Sequence, residues 1–328
     1  MTTTSSRAAA AQRTPAQASV RRGTTFGAGA YLLWGLFPLY FHLLLPAGAL
    51  EILVHRVVWS LLLCLLVVAV LRDVAWVRPL LAAPRRLVRL AVAAVFLALN
   101  WGVYIYGVNS GQVVETSLGY FINPLVTVLL GVFLLHERLR RLQWVAVALG
   151  AVAVVVLTVD YGRPPWIALI LAGSFATYGL MKKRIGVDLG ALASLTTETT
   201  LLFPFALAAL VWLEVTGRGT LTGHGAGHGL LLASTGVVTA VPLLLFAAAA
   251  RRVPLTTIGL LQFTTPVLQL LCGVLLLGEY VPPSRWVGFS VVWLALLVLS
   301  VDSVRSAHSR SRTARSGVPA ELAPAPPA

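Results

Sequence analysis

Residues 124–144 read PLVTVLLGVFLLHERLRRLQW and residues 266–286 read PVLQLLCGVLLLGEYVPPSRW. At one constant offset Pro124 meets Pro266, Gly131 meets Gly273, Glu137 meets Glu279 and Trp144 meets Trp286. Four such matches in one ungapped window mark an internal repeat, and each copy is an apolar run ending at a carboxylate.

Outward from that window, the 328-residue chain is 58% apolar and 11% charged, with a mean hydropathy of +0.86. Runs of about 20 apolar residues recur, each long enough to cross roughly 30 Å of hydrocarbon. Ten such runs lie near 25–44, 49–71, 88–108, 113–135, 142–159, 165–182, 191–213, 229–250, 255–277 and 284–302. The repeat pairs the fourth run with the ninth and the fifth with the tenth, giving five runs per half. An odd number carries the second half into the membrane from the opposite side. The expected fold is therefore all-α: ten transmembrane helices in two inverted-topology repeats, at 25–159 and 160–302, with disordered tails at 1–24 and 303–328.

The 25 Lys and Arg residues test that topology. Apart from Arg56, nearly all fall in alternate gaps, at 7–22, 72–89, 138–141, 182–184, 251–252 and 305–315; the other gaps hold only Arg163, Arg218 and Arg285. Cytoplasmic loops carry the Lys/Arg excess, so both termini are expected inside the cell. The net charge of +14 then reads as topology and attraction to anionic lipid, and no basic domain exists that could hold nucleic acid. The acid-free N-terminal stretch is similar in composition to a transit peptide but reads more simply as a basic tail. Cys64 and Cys272, both in apolar runs, read as buried free thiols.

Polar groups inside apolar runs face a cavity or a neighbouring helix. Tyr120, Asn123 and Thr127 form one stripe of the fourth run, and their repeat partners are Gln262, Thr265 and Gln269. The stripes flank Pro124 and Pro266, each of which frees the carbonyl four residues earlier and so marks a kink. They could form interhelical hydrogen bonds worth about 0.6 kcal/mol each; their symmetric placement favours a substrate pathway. Glu137 and Glu279 read as helix-end anchors. Asn100, Tyr104 and Gly107 share a stripe of the third run beside Trp101, while Ser174, Thr177 and Tyr178 in the sixth run and Trp34 in the first extend the same pathway. Ala94/Ala98, Ala146/Gly150 and Ala168/Ala172/Ala176 are small-residue ridges for close packing.

The second run carries the sharpest cluster, EILVHRVVWS at 51–60. An Arg at a helix centre costs about 2.5–3.5 kcal/mol in lipid, so Arg56 should face a wet cavity, an anionic solute group or a carboxylate: Glu51, Glu115 or Glu198. Glu51 and His55 stand one turn apart, and with Glu198 they are the candidates for proton coupling. His224 and His228 have metal-like spacing but no third ligand nearby. No nucleotide-binding loop or hydrolase motif is present, which argues against ATP-driven transport by this chain alone. No metal or cofactor is expected.

YLLWGLFPLY at 31–40, EILVHRVVWS at 51–60, LNWGVYIY at 99–106 and ETSLGYFINP at 115–124 resemble the RarD proteins, in the EamA-type branch of the drug/metabolite transporter superfamily. The likeness spans roughly 26–302. It implies a ten-helix bundle of two inverted repeats around a central cavity with alternating access, in the bacterial cytoplasmic membrane; the label of chloramphenicol sensitivity given to some RarD proteins establishes no substrate. One departure is His136 before Glu137, where the family more often has Gly, as this chain keeps at Gly278. The reading is a non-enzymatic exporter of a small metabolite or drug-like solute, with lipid and at most a second copy of itself as partners and no ATPase subunit. The rival readings are a membrane enzyme using Glu51 and His55, and a scaffold whose signature would be a closed, dry centre.

Overall fold

The computed structural model describes residues 15–136, 138–185 and 189–315, which are helical with no strand among them. The helices are α1 (Pro15–Gly35), α2 (Phe37–Leu43), α3 (Ala49–Leu71), α4 (Val77–Leu81), α5 (Pro84–Asn109), α6 (Val113–Leu135), α7 (Arg141–Tyr161), α8 (Trp166–Ile185), α9 (Ala191–Val215), α10 (Gly225–Ala250), α11 (Leu255–Leu261), α12 (Thr264–Leu271), a π-helical turn at Cys272–Leu276, and α13 (Pro283–Arg315). Among the described residues eight helices are long and apolar enough to cross a membrane, so this is a multi-pass membrane protein. α1, which ends at Gly35, and α8, which ends in Lys182, Lys183 and Arg184, are not among the eight.

Prolines explain the interruptions. Pro38 has no N–H for the carbonyl of Trp34, and the helix breaks at Leu36 between α1 and α2. Pro266 likewise leaves the carbonyl of Gln262 free, and α11 stops just before it. Its repeat partner Pro124 lies within an unbroken α6.

α3 packs between α9 and α10, and α8 between α5 and α6. α1 lies against α10 and α12, α6 against α12, α5 against α9, and α7 against α13. Close approach needs small residues where helices cross. A Cβ on Gly119 would lie 2.9 Å from the carbonyl oxygen of Ala168, and one on Gly236 would lie 2.5 Å from the carbonyl oxygen of Trp59. The ridges read from sequence sit at such crossings: Ala146, Ala168 and Ala172 are fully buried, and a Cβ on Gly150 would meet Leu125 at 2.6 Å.

Contacts sort the gaps into two ends. At one end Asn109 donates to the carbonyl of Ala47, Arg163 bonds Gln112 and Glu115, Thr220 donates to Glu51, and Arg285 pairs with Asp160. At the other, Arg89 donates to the carbonyl of Arg184, Arg184 to that of Leu134, and Arg140 pairs with Asp302. The Lys/Arg-rich gaps at 72–89, 138–141 and 182–184 share this second end.

Helix extends further than expected at both termini. α1 begins at Pro15, inside the stretch read as tail, because Pro is preorganised for a first turn and Ala, Gln and Arg favour helix. α13 continues to Arg315, past 302, since adding residues to an existing helix costs little. Residues 1–14 and 316–328 lie outside the described residues, as does Glu137.

The residue before each repeat carboxylate is left-handed: His136 has φ 53° and Gly278 φ 70°. A side chain in that conformation costs roughly 1–2 kcal/mol, which Gly avoids. His136→Gly should therefore raise stability by about 1 kcal/mol, read as a higher melting temperature of the purified protein. Gly278→Ala should lower it by a similar amount.

Candidate functional site

The structure gives Arg56 none of its three candidate carboxylates, because each is engaged elsewhere. Glu51 accepts the backbone N–H of Thr220 at 2.6 Å and its hydroxyl at 3.0 Å. Glu115 accepts Arg163 at 2.8 Å and the N–H of Ile167 at 3.0 Å, which ties the start of α8 to α6. Glu198, fully buried, pairs with Lys182 at 2.6 Å and accepts the Tyr178 hydroxyl at 3.2 Å.

Arg56 is instead 4% exposed, and its Nε donates to Thr239 Oγ1 at 2.8 Å. Its guanidinium carbon stands 4.0 Å from the ring centre of Trp101, 5.3 Å from Phe37 and 5.8 Å from Phe41. Such cation–π contacts each return roughly 1–2 kcal/mol when desolvated. Among the described residues the bond to Thr239 is the side chain's only hydrogen bond, and no carboxylate pairs with it. Tyr104, 2% exposed, lies in the same group against Phe41 and Tyr120, and its hydroxyl has no partner. The helices contributing here are α2, α3, α5, α6 and α10, so both halves of the chain meet at Arg56.

Of the remaining pathway residues, Asn100 donates to the carbonyl of Leu171 and to Ser174, and accepts from Tyr120. Thr127 is exposed and donates to the carbonyl of Asn123, whose own Oδ1 is buried without a partner. In the matched stripe Thr265 donates to the carbonyl of Tyr31, and Gln269 donates to the carbonyl of Trp34 that Pro38 leaves free. These two side chains therefore join α12 to α1. Gln262, half-buried, occupies the turn between α11 and α12. Trp34 packs edge-on against Tyr31. Tyr178 belongs with Lys182 and Glu198.

His55 receives the indole N–H of Trp59 on Nδ1 at 3.1 Å. Accepting there, a neutral imidazole carries its proton on Nε2, and that nitrogen is buried without an acceptor, as Glu51 Oε2 is buried without a donor. His228 Nε2 is 2.7 Å from Thr220 Oγ1, which connects Glu51 to α10.

Glu279, the carboxylate the repeat singled out, accepts the N–H groups of both Val113 and Val114, satisfying the free donors of the α6 N-terminus. With Gln112, Glu115, Tyr161, Tyr280 and Arg285 it lines a cavity of about 120 Å³. Burial pushes its carboxyl above the usual carboxylate range, against the pull of the two N–H groups and Arg285. Because the folded value is the higher one, this group's contribution to stability is complete below the ordinary carboxylate pKa and is lost as pH rises through the raised value. A Glu279→Gln variant should lose that decline, seen as a flatter melting temperature between the ordinary carboxylate value and neutral pH.

Sequence reasoning missed Thr239, Phe37, Phe41, Thr220 and Lys182. Thr235 and Thr239, one turn apart in an apolar run and both 1% exposed, were a readable signal. The aromatics were not, since a Phe in a membrane span has the same composition whether it faces lipid or an arginine.

The chain matches the EamA-like transporter family over residues 21–159 and again over 164–301. It is 54% identical to Protein RarD of Streptomyces exfoliatus over 303 residues, covering 92% of this chain and 96% of that one. To Protein RarD of Escherichia coli it is 38% identical, covering 90% and 98%. An uncharacterized transporter, YojE of Bacillus subtilis, is 41% identical, covering 88% and 96%. A solved crystal structure 16% identical in sequence shares the fold at a TM-score of 0.54, covering 84% of this chain and 96% of that one. This chain belongs to the EamA-like transporter family.

Proposed function

We propose that the chain is a secondary transporter of a small organic solute in the bacterial cytoplasmic membrane. Ten transmembrane helices, arranged as inverted repeats at 25–159 and 160–302 with both termini cytoplasmic, work by alternating access. The spans are α1–α2, α3, α5, α6, α7, α8, α9, α10, α11 through the π-turn, and α13.

Exchanging each span with the one five places along maps the most extensive helix contacts onto one another. α6–α8 becomes the α12–α1 contact, α5–α8 becomes α10–α1, and α3–α10 becomes α9–α5, while α3–α9, α6–α12 and α7–α13 map onto themselves. That symmetry, and a family match that occurs once in each half, support the repeat. The gathering of Lys/Arg-rich gaps at one end supports the orientation.

The observation that carries the functional reading is Arg56. A buried cation that no carboxylate pairs with among the described residues is expensive, and an ionisable group inside a membrane span is by default a candidate for a solute pathway. The centre is closed around it, as the scaffold reading would have it, but a scaffold gains nothing from an uncompensated charge. We assign Arg56, Asn100, Trp101, Tyr104 and Tyr120 to the pathway, and Glu51 to proton coupling. His55 is not assigned the proton itself, since Trp59 occupies its Nδ1 and its buried Nε2 has no acceptor. The test is counterflow of labelled metabolites and antibiotics in proteoliposomes with and without a pH gradient. Arg56→Gln should abolish flux, and Glu51→Gln should remove only its pH-gradient dependence. Flux in neither wild type nor variant, across the panel, would contradict the reading.

A further inference from the structure

We infer that the Arg56 cage is a binding site for an organic monoanion, a carboxylate carried on an aromatic or similarly flat apolar body. The inference rests on the transporter reading and names the substrate class of the same site. Of the five guanidinium N–H groups, only Nε–H is bonded among the described residues, to Thr239. The Trp101 ring centre stands 4.0 Å from the guanidinium carbon, and the two terminal nitrogens, unbonded among the described residues, are the pair with which a carboxylate makes two parallel bonds. The buried, unpartnered Tyr104 hydroxyl supplies a further donor in that group.

Charge sets the valence. Arg56 is the one Lys or Arg in the middle of a long apolar run, the others standing at run ends or in the gaps, so the site neutralises one negative charge and would leave a second one uncompensated. The walls set the body: Phe37, Phe41, Trp101, Tyr104 and Tyr120 offer ring faces and edges, with few hydrogen-bonding groups for a sugar or a peptide backbone. In the structure these rings close over the guanidinium, so entry requires them to part.

The test uses 3-phenylpropionate and its uncharged isostere 3-phenylpropanamide, titrated into purified full-length protein by calorimetry and thermal shift. The acid should bind wild type at least about ten-fold more tightly than the amide, a difference of about 1.4 kcal/mol. Arg56→Gln should bring the acid down to the amide's affinity. Arg56→Lys, a point charge without the planar fork, should restore only part of it. Tyr104→Phe, which removes one hydroxyl and preserves packing, should weaken the acid several-fold and leave the amide unchanged; this comparison stands even if the Arg56 variants do not fold. Equal binding of acid and amide, binding of neither at millimolar concentration, or an acid preference that survives Arg56→Gln would each overturn the site. Arg56-dependent binding of the acid without its counterflow in proteoliposomes would uphold the site and defeat the transport reading. Counterflow of a neutral solute, equal in wild type and Arg56→Gln, would do the reverse.

Discussion

Lys182→Met should lower the stability of the protein by about 3 kcal/mol, the cost of leaving a buried carboxylate without its cation. Glu198 is fully buried, while the Lys182 side chain is 32% exposed, so the two partners are unequal. Removing Lys182 leaves Glu198 with the hydroxyls of Tyr178 and Ser194, and these cannot balance a full charge. The unpaired carboxylate then draws in water, which loosens the hydrogen-bonded link between α8 and α9. The double variant Lys182→Met/Glu198→Gln should recover most of the loss, since a neutral amide still accepts from Tyr178. Melting curves of the four proteins form a double-mutant cycle. A Lys182→Met melting temperature equal to wild type would mean that the pair contributes nothing to the fold.

The second large effect is at the crossing of α3 and α10. A Cβ on Gly236 would lie 2.5 Å from both the carbonyl carbon and the carbonyl oxygen of Trp59, and backbone cannot swing aside as a side chain can. Gly236→Ala should therefore cost about 1–3 kcal/mol and push the two helices apart. The same displacement moves Thr239, one turn further along α10, away from Arg56. Transport should fall more steeply than stability. Gly223→Ala, where nothing lies within 4 Å of the added Cβ, is the matched control.

Much of the fold was legible because membrane burial writes itself in long apolar runs and charged gaps. The runs at 49–71 and 113–135 coincide with α3 and α6, and the left-handed turn at His136 lies where the family resemblance led one to expect Gly. Partners were less legible. Arg56 was visible as a residue needing compensation, but Phe37 and Phe41 come from a helix whose rotation no one-dimensional pattern records. The stripe at Gln262, Thr265 and Gln269 matched Tyr120, Asn123 and Thr127 in register, yet two of its members bond α1. The reason is local: Pro38 left an unsatisfied carbonyl for Gln269 to fill, and the first half has no equivalent demand. Glu198 read as a proton carrier because its cation, Lys182, sits at the polar end of the preceding helix, where a lysine ordinarily reads as topology.

The central claim is that the space around Arg56 opens alternately to the two sides. Ser60, fully buried one turn beyond Arg56 on the same face of α3, is a suitable reporter. In a background with Cys64 and Cys272 replaced, Ser60→Cys is labelled with a membrane-impermeant thiol reagent applied from one side at a time. This is repeated after a bifunctional thiol reagent has joined Gln112→Cys to Tyr280→Cys across the cavity at the Glu279 end. The account predicts labelling from both sides before the cross-link, and from the cytoplasmic side alone after it. A residue unreachable from either side, or one still reached from outside when that end is locked, would contradict it.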